Sequence, residues 1–190
     1  MNELGRFGTM TDMSLDYLPA LDRLDLVAAP VATALRGWPH AGEVLVAEID
    51  PSLADTAAMT EAYGTDLTDS ANCVVISGKR SGEERLAACV VRADTKADVN
   101  NLVKRTLDVR KCSFHPMERA VDETGMEYGG ITPIGLPVEW RLLVDTRVLE
   151  IERAIIGTGV RRSKLFLPGR LLAELPGAEV IDDLGRAAVG

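Results

Sequence analysis

No stretch of about eighteen consecutive apolar residues occurs in this 190-residue sequence, so no membrane-spanning helix is expected. The opening Met-Asn-Glu-Leu-Gly-Arg-Phe-Gly has no basic stretch followed by an apolar core, and no signal peptide is expected. Histidine is scarce. His40 and His115 are the only two, and neither stands in a catalytic-triad or metal-ligand spacing, so neither a metal centre nor a cofactor is expected. The three cysteines, Cys73, Cys89 and Cys112, are an odd number without a Cys-x-x-Cys pair, which points to buried reduced thiols in a cytosolic protein. An excess of positive charge is also missing. The net charge of −8 argues against tight binding to long nucleic acid, which relies on clustered Lys and Arg. Basic residues gather only locally, at Lys104-Arg105, Arg110-Lys111 and Arg161-Arg162 with Lys164, and such runs read first as solvated faces. There is no internal repeat and no low-complexity segment.

What is present fits one globular domain with a real core: 46% hydrophobic and 26% charged residues, in a chain short of a comfortable two domains. Residues 1–20 show no periodicity and read as a loose arm, and Leu21–Leu35 reads as a helix that Pro30 interrupts, with Pro30 able to start a second turn. Val44–Ile49 reads as a central strand, and Ala54–Tyr63 as a helix closed by Gly64. Cys73–Ile76 and Leu86–Val91 are apolar runs joined by the polar connector Ser77–Glu84, as in a hairpin. Thr95–Asp98 reads as a capping box before a helix whose stripe is Val99, Leu102, Val103 and Leu107. Pro116 opens another helix that Gly125 ends, Leu142–Val144 and Ala154–Ile156 are short strands, and Pro168-Gly169 opens a last helix through Leu175. Ala178–Ile181 fits a sheet edge. Hairpins interleaved with helices imply an α+β fold with a mixed sheet.

The most informative segment is 121–137. Three glycines and two prolines fall within the nine residues Gly129–Pro137, between a helix and an apolar strand that ends at Asp145. Glycine permits close approach of backbone and proline stiffens it, so such a loop suits the presentation of N–H groups to a ligand. The order Thr124-Gly125, Gly129-Gly130-x-x-Pro133-x-Gly135, Asp145 resembles the YbaK/prolyl-tRNA-synthetase-associated domain family, which includes aminoacyl-tRNA editing deacylases. Glu43–Ile49 with Ala54–Gly64, Ala71–Ser77, and Ile156–Gly159 with Leu167–Ala178 are similar to further family segments. The resemblance covers roughly residues 43–183. It divides the chain into an N-terminal arm and helix, 1–42, and an editing-like domain, 43–190, within one globular unit.

The resemblance implies a curved, barrel-like mixed sheet surrounded by helices, and a cytoplasmic protein that transiently holds the acceptor end of a tRNA. Gly129, Gly130 and Asp145 are the catalytic candidates, and Asn72, Thr132, Pro133, Gly135, Gly159 and Lys111 the substrate-binding ones. Backbone N–H groups of Gly129, Gly130 and Gly135, with the Thr132 hydroxyl, could form an oxyanion hole. On its residues alone Asp145 reads as a strand-end cap for Thr146-Arg147; the resemblance places a functional Asp there. One departure stands out: family editing enzymes carry a lysine just before the second strand, and the matching position is Asn72, which brings no charge. Arg110 and Lys111 could supply charge from elsewhere, though as a pair they read first as solvated. The expected function is hydrolysis of the ester of a mischarged tRNA. The alternatives are a binding module of the same fold that has lost catalysis, and a structural or regulatory protein using its acidic surface.

Overall fold

The structure, a computed structural model, describes residues 14–187. Most of the arm expected over residues 1–20 lies outside that range. Its end forms a short strand, β1 (Leu18–Pro19), antiparallel to β2 (Leu45–Glu48). Between them, the helix expected over Leu21–Leu35 is two 3-10 turns, Ala20–Asp22 and Leu24–Leu26, followed by α1 (Ala29–Gly37). Pro30 sits in the first turn of α1, where a missing N–H costs nothing, so it starts this helix, as its position allowed.

After β2 come α2 (Thr56–Tyr63), capped by Gly64 in the left-handed conformation, and the hairpin β3 (Ala71–Arg80) and β4 (Glu83–Arg92). The hairpin is longer than its apolar runs, because the polar connector is itself strand and only Ser81-Gly82 turns the chain. Both have positive φ, the requirement of a tight two-residue turn that matches strand twist. The capping box expected at Thr95–Asp98 is instead β5 (Thr95–Ala97), paired with β11 (Gly185–Ala187). Thr95 donates its hydroxyl to the Arg92 carbonyl, and the helix begins later, as a π-turn over Val99–Val103 leading into α3 (Lys104–Thr106). The remaining elements are β6 (Lys111–Phe114), α4 (Met117–Thr124), β7 (Arg141–Asp145), α5 (Thr146–Leu149), β8 (Ala154–Gly157), β9 (Ser163–Leu167), a 3-10 segment (Gly169–Glu174) and β10 (Ala178–Ile181).

The fold is α+β, as the pattern implied. Its strands form a sheet of order β1-β2-β9-β8, a mixed sheet of order β10-β7-β4-β3-β6 and the small β11-β5 pair. The curvature expected of a barrel takes the form of two sheets stitched at one edge, where Ser70 bridges Ile155. Alternate side chains of each strand enter different cores. Ala88, Val90, Leu142 and Val144 meet Val46, Ile156, Leu165 and Leu167 in a core between the sheets. The segment before residue 43 adds Leu26, Val31 and Leu35 to it. Ala87, Cys89, Val91 and Leu143 pack on Val103 and Leu107 on the far face of the mixed sheet. Ala47, Ile155 and Phe166 pack on Met59 of α2 on the far face of the other. Covered on both faces, β4 and β7 read in sequence as continuous apolar runs.

Candidate functional site

Where the two sheets part beyond the Ser70–Ile155 bridge, a cleft of about 650 Å3 opens, within the range of small-molecule sites. Its walls are β3 from Ala71 to Val75, β8 from Ile155 to Gly157, the start of α2, the β6–α4 junction and residues Tyr128, Gly129 and Ile131. Asn72 faces it from β3, with the Thr56 hydroxyl donating to its amide oxygen at 3.1 Å. That bond leaves the Asn72 –NH2 as a donor toward the cleft. Around the rim stand Phe114, Met117 and Tyr128, exposed by 65, 50 and 64%, unusual for residues of this size.

Only the front of the glycine loop reaches the cleft. The Gly130 amide donates to the Glu127 carbonyl at 2.9 Å, and its own carbonyl accepts from the Gly159 amide at 2.8 Å. The Glu127 amide in turn donates to the Gly159 carbonyl at 2.8 Å, and Glu127 Oε2 accepts from the Arg161 amide at 2.7 Å. The loop is thus fastened to the β8–β9 turn. Glycines are needed on both segments because two backbones cross there: a Cβ on Gly130 would lie 3.0 Å from the Val160 backbone, and one on Gly157 of β8 would lie 2.5 Å from the Gly130 oxygen. An oxyanion hole built from Gly130 and Gly135 does not fit this arrangement. The Gly130 N–H is engaged, and Gly135, at φ +82°, packs against the Pro30 carbonyl at the start of α1. Thr132 and Pro133 are buried behind the loop, and Gly159 is enclosed by Ala28, Met126 and Val31. Gly129 alone of the loop glycines lines the cleft, with the Arg161 guanidinium against it.

Two further candidates are placed elsewhere. Asp145 is 1% exposed, with Oδ1 accepting from the Arg147 amide at 2.9 Å and Oδ2 from the Gly185 amide. It caps α5 and anchors β11, the role its position at a strand end suggested, and it does not line the cleft. Lys111 is exposed on β6 and borders a separate shallow groove with Lys79 and Glu84. The cleft therefore brings together Asn72 and Gly129 from the sequence-derived set.

It also holds residues that the sequence reading passed over. Lys164 lies on β9, opposite Ala47 and Gly157, on the face that α2 covers, and is only 9% exposed. Burial, and then the Arg161 guanidinium, push its ammonium below the ordinary lysine value, with Asp55 opposing. Asp55 is itself paired with Arg161 at 3.4 Å, and among the described residues Lys164 has no ion pair of its own. It was hidden in a basic run that reads as surface; the clue was the apolar Leu165-Phe166-Leu167 that follows it. His115, which its place before Pro116 marks in the sequence as a cap or surface residue, is buried instead. Its fully buried ring stacks edge-on against Trp140, and Nε2 lies 3.3 Å from Glu123 Oε2 without hydrogen-bond geometry. Cys73 also lines the cleft, and burial pushes its thiol well above the usual range, so it offers no thiolate. Among the described residues no three His, Cys, Asp or Glu side chains gather as a metal site. No helix among them is long and apolar enough to cross a membrane.

These features define a two-sheet α+β protein with a mixed polar and apolar cleft at the sheet junction. Residues 50–175 match the model of the aminoacyl-tRNA editing domain family, and the chain belongs to that family. Solved structures share the fold. A candidate trans-editing enzyme for prolyl-tRNA synthetase superposes with a TM-score of 0.69 at 20% identity, covering 80% of this chain and 93% of its own. A scaffold from computational epitope grafting gives 0.69 at 20% identity, with 82 and 95% covered. A hypothetical protein gives 0.62 at 22% identity, with 70 and 85% covered.

Proposed function

We propose that this protein is an aminoacyl-tRNA deacylase that hydrolyses the ester of a mischarged tRNA in the cleft between its sheets. The observation that carries the reading is the cleft itself, in a chain of the editing family. It is large enough for an acylated terminal nucleoside and places polar groups, among them Asn72, Thr56, Gly129 and Lys164, among apolar lining residues. Water attacks the ester carbonyl, the carbonyl carbon–ribose oxygen bond breaks, and the products are the free amino acid and a tRNA hydroxyl. No nucleophile with an adjacent base lines the cleft among the described residues, so the attacking water is positioned by fixed donors. The Asn72 amide and the Gly129 backbone are the donors for the developing oxyanion. The partner is the acceptor end, held transiently, and the cytoplasm is where such a substrate is met. The test is deacylation of a panel of mischarged aminoacyl-tRNAs: cleavage of at least one above the buffer rate is expected.

A second reading has one observation of its own. Asn72 is neutral where family editing enzymes resemble one another in carrying lysine, which favours a binding module that holds an aminoacyl end without cleaving it. No cleavage across the panel, with retained binding of a non-hydrolysable aminoacyl-adenosine amide, selects that reading.

A further inference from the structure

We propose that Lys164, with the first turn of α2 and the Asn72 amide, forms an oxyanion-binding subsite on the floor of this cleft. The ligand it recognises carries a phosphate or a carboxylate. The inference deepens the editing reading and rests on it for the ligand's identity, but not for the subsite's existence.

A lysine nine-tenths buried normally has a carboxylate beside it, because an ammonium removed from water loses its hydration. Among the described residues Lys164 has no carboxylate within ion-pair distance: Asp55, close enough to oppose the effect of burial, is engaged by Arg161, whose guanidinium also bonds the Pro51 carbonyl at 3.3 Å. The positive charge at the floor is therefore left for something that enters. The start of α2 faces the same space through Ala54, Asp55 and Thr56. Asp55 stands at its N-cap position without a side-chain hydrogen bond to the first turn, so those N–H groups are not capped from within. Asn72 adds a neutral donor from the opposite sheet. An ammonium, the uncapped start of α2 and an amide lining one space, with Asp55 engaged by Arg161, favour an oxyanion over a cation or a neutral sugar.

In an acylated acceptor end that chemistry has two sources, a backbone phosphate next to the terminal ribose or the side-chain carboxylate of an acidic aminoacyl group. Calorimetric titration separates them, using AMP against adenosine for the phosphate and succinate against propionamide for the carboxylate. Wild type, Lys164→Met and Lys164→Gln are compared, with thermal melts to confirm that each variant is folded. AMP or succinate should bind wild type about tenfold or more tighter than either variant, the scale of one charge-assisted contact, while the uncharged probe is indifferent to the substitution. Dependence on AMP assigns the phosphate, and dependence on succinate the carboxylate. Binding of both anions unchanged by loss of Lys164, binding of neither by wild type, or an equal loss for the neutral probes overturns the subsite. The titrations need no turnover, so an absence of deacylation removes the editing reading and leaves this result standing.

Discussion

Replacing Lys164 with methionine should make the protein more stable while removing its capacity to hold an anion. The side chain is 91% buried by its 9% exposure, on a β9 face otherwise occupied by Phe166, Ile155 and Met59. Methionine has nearly the same reach and no charge to desolvate. Exchanging buried charge for apolar volume stabilises proteins by about 1–4 kcal/mol. The lower half of that range applies here, because the ammonium reaches the cleft and its water, which gives a rise in Tm of roughly 3–8 °C for a chain of this length. The pH dependence is specific. The folded-state pKa of Lys164 lies below the ordinary 10.5, so between the two values the unfolded chain binds more protons and wild type gains stability as pH rises. Below the folded value the penalty is full; above 10.5 the amine is neutral in both states. The advantage of Lys164→Met should therefore be largest at neutral pH and shrink toward about pH 10–11, where an ordinary lysine loses its proton. Asp55 and His115 line the cleft and Arg161 stands beside Gly129; all three are present in both variants, and what differs is the interaction with the ammonium, where Arg161 adds to the downward shift and Asp55 opposes it. Urea denaturation at several pH values measures it. A variant less stable than wild type at pH 7, or a gain independent of pH, would refute a desolvated, unpaired ammonium.

Asp145→Ala should cost about 2–4 kcal/mol in denaturation experiments, because it strands the Arg147 and buried Gly185 amides, while any hydrolytic activity should stay within a few-fold in a variant that still folds. Gly135→Ala should cost about 3 kcal/mol, since its φ is +82° and a Cβ would stand 2.6 Å from the Pro30 oxygen; the melting temperature reads this directly. Cys73→Ser should leave any hydrolytic activity within a few-fold, because the thiol is held protonated by burial; a hundredfold loss in a folded variant would make it functional. Asn72→Lys should weaken stability in the wild-type background by adding a second ammonium to the cleft, yet restore anion binding in Lys164→Met, both seen by calorimetry and thermal melts.

The fold was legible where burial is written in the pattern. The runs in β4 and β7 are apolar because both faces are covered, and Gly64 and Gly125 end α2 and α4 in the left-handed conformation that glycine allows. It was illegible where polar residues are strand. The connector of the β3–β4 hairpin is ladder up to Ser81-Gly82, and Thr95–Ala97 pairs with a strand ninety residues on, which no local signal announces. The site divided along the same line. Asn72 and the front of the glycine loop came from the sequence, but density of glycine does not tell a surface offered to a ligand from one where two backbones cross. Gly129 lines the cleft, Gly130 and Gly135 lie where backbones cross, and Gly159 is closed in by the side chains of Ala28, Met126 and Val31. Lys164 was missed because a charge beside two arginines reads as solvated, and only the pairing of β9 between β2 and β8 turns it inward.

That placement also reconciles an acidic protein with an anionic ligand. Long nucleic acids are attracted by many solvated cations, each worth little beyond the Debye length of about 8 Å at physiological salt. A net charge of −8 offers no such field. One ammonium in a partly desolvated cleft works differently: at about 4 Å a unit pair is worth roughly 4 kcal/mol at an effective dielectric near 20, against about 1 kcal/mol in water. A single lysine buried under α2 can thus hold one oxyanion of a short terminal segment while the acidic exterior repels the body of longer RNA. The selectivity lies in how deep the charge sits, and binding through it should fall less steeply with salt than binding through a surface patch of equal charge.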